Sequence, residues 1–368
     1  MRLDRRVATG AVLGLVAAAA WFPASPSHPA HGPLLSECDG ALREIVIQYV
    51  PEAKEIVAVA YRDFLGALPA DVTVRVVCPD RDAFEDLRRV VGPVACRVEP
   101  VATGHPMTCW ARDRWLALEP AGEGPTVLLS PAVEDGEEAW PARAGDRRIG
   151  EDLAAAVPGV EARRSALAFD GGDFAADAET VFVSPRVARR NPGIREEALR
   201  RRLEALLRRK VVVLADAPDH HVAMYMAATG NRTALVGDPS LARALVADDA
   251  VPGGCDWTQE TQAKFDAVAE TVAAAGYRVV RIPVAPGADG RSWLTPTNAI
   301  MDARDDARIV YLPVFRHAEP MNRAAAEIWK ALGYAVRRVD CTETFRHFGS
   351  IHCLVNVLRR APGCVATP

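Results

Sequence analysis

Two hydrophobic periods alternate along most of this chain. Glu52 to Leu68 and Arg81 to Val91 place apolar residues three and four apart, as one face of a helix requires, and β-branched runs follow at Val72–Val77 and Cys96–Pro100. The same order returns further on. A strand is expected at Thr126–Ser130, a helix near 150–156, and strands near 160–167 and at Thr180–Ser184. Ile194–Arg209 predicts a long charged helix, with strands at Val211–Leu214 and Thr233–Gly237. The last two units echo each other: helix Gln259–Ala275 leads into Gly276-Tyr277-Arg278-Val279, and helix Asn322–Leu332 leads into Gly333-Tyr334-Ala335-Val336. A further strand, Arg308–Pro313, lies between them. Self-similarity at this spacing implies about five like supersecondary units sharing a core. No linker separates them, so residues 34–368 read as a single α/β domain.

Polar segments punctuate these units. They are Trp110-Ala111-Arg112-Asp113, Phe169-Asp170-Gly171-Gly172-Asp173, His220-His221-Val222-Ala223, Thr297-Asn298 and Gly349-Ser350-Ile351-His352-Cys353. Each alone has a plain structural reading. Asp113 fits a strand-end ion pair, Asp-Gly-Gly-Asp a turn, Asn298 a cap, His221 a satisfied histidine and Cys353 a small residue of a buried strand. Each also follows a strand, so the segments could meet at one end of the core. There a thiol, an imidazole and two carboxylates would make a nucleophilic site for a cationic carbon.

Composition narrows the function. With 44 basic against 48 acidic residues, the net charge is −4, and aromatic residues make up 6%. Neither a basic surface nor stacking platforms for nucleic acid are implied. The arginine-rich run 186–209 predicts a solvated helix face, and the acidic stretch 131–148 a surface loop. At the start, Arg2, Arg5 and Arg6 precede an apolar run from Val7 to Phe22 and a break at Pro23. That is the pattern of a removable export signal and leader over residues 1–30, shorter than the roughly 20 apolar residues of a membrane span. It predicts a secreted or periplasmic protein with no stable membrane span after processing. Export permits disulfides, but setting Cys353 aside leaves an odd number of cysteines and no zinc-ligand spacing.

Taken in this order, and ending in His352-Cys353, the segments resemble the guanidino-group-modifying, or pentein, superfamily. The resemblance runs from about residue 45 to 360 and is sharpest over Gly349–Arg360, which is similar to the C-terminal signature of peptidyl-arginine deiminases. It implies a five-bladed α/β propeller of pseudo-fivefold symmetry with a central site. Cys353 would be the nucleophile, His221 the general acid and base, and Asp170 the carboxylate orienting it. Asp113 would hold the substrate guanidinium, with Trp110, Asp173 and Asn298 as further binding residues. Trp293 and Arg346 are added candidates for the entrance. The resemblance implies no cofactor or metal, and a partner that is a small-molecule or peptidyl guanidine: agmatine, arginine or peptidyl-arginine.

One departure stands out. Deiminases of this type carry His-x-Asp, whose Asp grips the guanidinium from its other side, whereas this chain has Ala223. Three readings follow: a dimethylarginine-hydrolase-like site, compensation by Asp173, Asp216 or Asp219, or a guanidine-binding pseudoenzyme. A cysteine peptidase is a further alternative that the chain order of Cys and His disfavours.

Overall fold

Local chemistry sets the element ends. The computed structural model describes residues 31–133, 141–305 and 307–361. Helix Arg81–Val91 begins where the Asp80 carboxylate accepts the Ala83 backbone N–H at 2.8 Å, and it ends at Gly92, with φ at 76°. Phe84 and Leu87 turn inward from it, as the spacing predicts. The echoed Gly-Tyr pairs have the same explanation. Gly276 and Gly333 adopt φ of 91° and 83° after helices Gln259–Ala274 and Glu319–Ala331, which side chains with a Cβ disfavour. Tyr277 and Tyr334 then bury their rings as the chain enters strands Arg278–Pro283 and Tyr334–Asp340.

Among the described residues the strands form small sheets of one repeated design. A short strand runs antiparallel to a middle strand, which pairs in parallel with a third. Leu116–Leu118, Thr126–Ser130 and Val160–Arg164 make one such sheet. Phe174–Ala176, Thr180–Val183 and Lys210–Val213 make the next. Met226–Ala228, Thr233–Asp238 and Arg278–Pro283 follow, then Ile300–Ala303, Arg308–Val314 and Tyr334–Asp340. The remaining unit joins the two ends of the described chain. Val355–Arg360 runs antiparallel to Leu42–Gln48, with Val46 opposite Asn356, and Leu42–Gln48 pairs in parallel with Thr73–Cys78, which carries the additional strand Arg97–Ala102. A separate hairpin pairs Ala285–Pro286 with Trp293–Leu294. Apolar packing is shared among several clusters, one of which brings Cys353 together with Phe182, Tyr225, Phe265 and Trp293.

This design positions the polar segments. Each of the five leads directly into the short strand of a unit: 110–115 into Leu116–Leu118, 169–173 into Phe174–Ala176, 220–224 into Met226–Ala228, 296–298 into Ile300–Ala303, and 349–354 into Val355–Arg360.

Three expectations need correction. Cys353 is not in a strand: Ile351–Leu354 is a helical turn, and the strand begins at Val355. The stretch 131–148 is not all surface loop, because Pro141–Asp146 is a short helix that buries Asp146; residues 134–140 lie outside the described residues. The run 186–209 is not simply a solvated face, because the helix Pro185–Arg190 turns Arg186 and Arg190 onto the buried Asp170. Among the described residues seven cysteines are free thiols, and Cys364 lies outside them. No described helix is long and apolar enough to cross a membrane. The predicted export signal also lies outside the described residues.

Candidate active site

A cavity of about 680 Å³ opens where the polar segments meet, and Trp110, Asp113, Asp170, His221 and Cys353 all line it. That volume suits a small ligand or the side chain of a peptide. Cys353 sits on its helical turn with 3% exposure, and the Asn298 side-chain amide donates to its sulfur at 3.3 Å. The backbone N–H of His352 in turn donates to the Asn298 side-chain oxygen at 3.0 Å, fixing that amide's orientation. Gly349 makes room for this turn: a Cβ there would stand 2.6 Å from the Trp110 ring and 3.1 Å from Cys353 Cβ.

His221 packs its imidazole on Gly172, where a Cβ would come within 2.4 Å of Nδ1. The glycine pair expected as a turn is therefore also a seat for the ring. His221 Nε2 lies 3.6 Å from Asp170 Oδ2, an ion-pair distance rather than a hydrogen bond. Burial opposes charge on this ring, yet Asp170, Cys353, Asp113 and Asp173 outweigh it and push the pKa up to about 10. The neighbouring His220 behaves in the opposite way. Burial, then the charges of His221 and Arg186, pull it down to about 3. Its Nδ1 accepts the His221 backbone N–H at 2.9 Å, so its other nitrogen, 3.3 Å from the Arg291 carbonyl, is the donor.

Asp170 is the electrostatic hub. Despite burial, its carboxyl is held well below the usual range by His221, Arg190 and Arg143. Arg190 approaches it at 2.5 Å, Arg143 at 3.1 Å, Arg186 at 3.2 Å and Arg114 at 3.6 Å. Arg143 also reaches Asp113 at 2.7 Å and Asp146 at 3.6 Å. Burial pushes Asp146 up to about 6, although Thr108 donates to both of its oxygens and Arg143 stands close.

The remaining candidates fall elsewhere. Asp173 has no exposed surface and stands behind Asp170, accepting the Asp170 backbone N–H at 2.9 Å. Burial raises its pKa. Of the proposed substitutes for an acid at position 223, Asp219 reaches the cavity but pairs with Arg189, and Asp216 is exposed outside it. Trp293 is buried beside His220, with ring centroids 5.4 Å apart, and Arg346 lies over Phe345; the wall at that end is His347 and Phe348. Sequence reasoning missed Arg143, Arg186 and Arg190, because arginines in loops and charged helices carry no pattern that separates an inward residue from a solvated one. Among the described residues no group of His, Cys, Asp or Glu is arranged to hold a metal ion.

Comparison with known proteins places this frame. It is the fold of the agmatine deiminases. The enzyme of C. jejuni superimposes with a TM-score of 0.69 at 15% identity, covering 91% of this chain and 98% of that one. The agmatine deiminase of Enterococcus faecalis gives 0.68 at 15% identity, over 90% and 96%. No curated protein sequence matches the chain. The chain belongs to the Porphyromonas-type peptidyl-arginine deiminase family, whose model matches residues 47–357.

Proposed function

We propose that this protein is a hydrolase that cleaves a C–N bond of a guanidino group, with Cys353 as nucleophile. The observation that carries this reading is the shared cavity of Cys353, the cationic His221 and the carboxylate of Asp113. A guanidinium is protonated in any protein setting and needs an opposing carboxylate when buried, which Asp113 supplies. The Cys353 thiolate, assisted by the Asn298 amide, attacks the guanidine carbon. His221 gives its proton to the departing nitrogen, which leaves as ammonia, and a thiouronium remains on Cys353. The neutral His221 then takes a proton from water as it attacks. Collapse expels the thiolate, the hydroxyl proton passes to solvent, and a ureido product is released. Asp170 holds His221 in place and favours its charged form.

Within this reading the five units stand around the site as the blades of a pentein propeller. The apolar run Val7–Phe22 behind Arg5-Arg6 delivers the protein outside the cytoplasm. The substrate comes from agmatine, free arginine or peptidyl-arginine.

A second reading, guanidine binding without turnover, draws on Ala223, which stands where deiminases of this type carry the second carboxylate. One assay separates the two. Purified protein is offered arginine, agmatine, dimethylarginine and an arginine-containing peptide, and ammonia is measured beside Cys353→Ala. Release lost with the thiol is expected. Release that persists in Cys353→Ala refutes the nucleophile, and binding with no release from any substrate favours the second reading.

A further inference from the structure

The proposed hydrolysis needs Asp113 to meet a guanidinium, and in this structure it already does. Arg143 places Nη1 2.7 Å from Asp113 Oδ2 and Nη2 3.1 Å from Asp170 Oδ1. Its Nη1 also lies 3.6 Å from Asp146 Oδ2. The side chain is 17% exposed and lines the same cavity as Cys353. Arg143 thus presents to Asp113 the same chemical group that a substrate would bring. Arg143 Nη1 covers Asp113 Oδ2, so an incoming guanidinium cannot take both oxygens of this carboxylate in its planar fork while Arg143 stays.

We propose that Arg143 is a specificity-determining residue: it occupies the guanidinium subsite of this protein, and a ligand binds there by displacing it from Asp113. This inference rests on Asp113 being that subsite. The cost of displacement is contained within the site. Asp146 and Asp170 remain as counter-ions for the released Arg143, so the cation is not abandoned in a buried place. Apparent affinity for any guanidine is lowered by the fraction of molecules in which Arg143 is away from Asp113. Ala223 deepens the effect, because position 223 supplies no carboxylate to help the ligand win the exchange.

The test reads binding rather than turnover. Methylguanidine, which carries little beyond the guanidinium, is titrated calorimetrically into Cys353→Ala and into the same protein with Arg143→Met. A tightening of roughly tenfold or more is expected once the occupant is gone. Arg143→Lys keeps a cation among the three acids, and with them the fold, but loses the fork; it should tighten binding by a smaller factor. An affinity unchanged or weakened in the folded variants overturns the proposal, and so does tightening confined to Arg143→Met with none in Arg143→Lys, which is the loss of a like charge and not of an occupant. The two readings fail separately. Tighter binding without Cys353-dependent ammonia from protein carrying Arg143→Met sinks the hydrolase and keeps the occupant; ammonia release with unchanged affinity does the reverse.

Discussion

Two histidines flank the Cys353 thiol, and they belong to opposite worlds. His352 precedes Cys353 in the chain, yet its ring turns away to Glu37, with Nε2 3.1 Å from the carboxylate, in a knot with Arg112 and Asn356. The cavity beside this knot is about 20 Å³, room for a single water. His221, 132 residues away in the chain, shares the 680 Å³ cavity with the thiol. Both rings face a carboxylate that arginines also hold. Burial, then Arg112 and His221, outweigh Glu37 at His352 and lower its pKa, whereas His221 is pushed up to about 10. The neutral ring closes a seam; the charged one stands where a leaving group would need its proton. Identical residue types are thus divided by which side of the Cys353 turn they pack against.

The largest effects should come from exchanging the two rings one at a time. His221→Asn is expected to lower ammonia release by about a thousandfold, in the range of a lost general acid and base. His352→Asn should leave the rate per folded molecule near that of the parent. It should instead lower Tm, because Glu37 loses a buried partner at a cost of about 1–3 kcal/mol. Comparable losses of rate from both variants, measured with thermal melts as control, would break the comparison.

The sequence shows the seam and the site unequally. Regular elements are legible where a cap and a period agree, as in Arg81–Val91 between Asp80 and Gly92. The short strands Leu116–Leu118, Phe174–Ala176 and Met226–Ala228 are not, since three residues are too few to show alternation. The cavity residues Asp113, Asp170, His221 and Cys353 could be singled out because their segments punctuate the repeat in a fixed order. The arginines that surround them could not. Arg143 lies in Pro-Ala-Arg-Ala-Gly-Asp, which has no period, and Arg186 and Arg190 sit in a run that looks like any solvated face. Glu37, next to Cys38, is held by a histidine and an arginine far along the chain, a pairing that no local pattern announces.

A middle-sized effect should come from position 223. Ala223 lies on the turn that follows His221, and its carbonyl accepts from Thr297 at 2.8 Å, so a new side chain leaves that backbone contact in place. Ala223→Asp adds a carboxylate on the His221 side of the Cys353 turn and none on the His352 side. Guanidine binding in the Cys353→Ala background should tighten by about tenfold, the worth of one charge-assisted hydrogen bond. Tightening should come without any change in the His352 seam, which Tm reports. Weaker binding would mean that the new carboxylate pairs with the surrounding arginines instead.

The smallest effect separates the rings by pH. A histidine whose folded pKa is raised to about 10 from 6.5 contributes stability that is fully present below about pH 6.5 and is lost as pH rises toward 10. One whose folded pKa is lowered works the other way: the unfolded chain takes up its proton more readily, so stability falls as pH drops below 6.5. His221→Asn should therefore flatten the alkaline limb of a Tm profile, and His352→Asn the acid limb. Asp170 does not imitate the alkaline limb. Asp170, held below its usual range, loses its contribution only as pH falls through its folded value, well to the acid side of both histidines. If His221→Asn left the alkaline limb untouched, the imidazolium proposed to protonate the leaving group would not be present at neutral pH, and the proton would have to come from water.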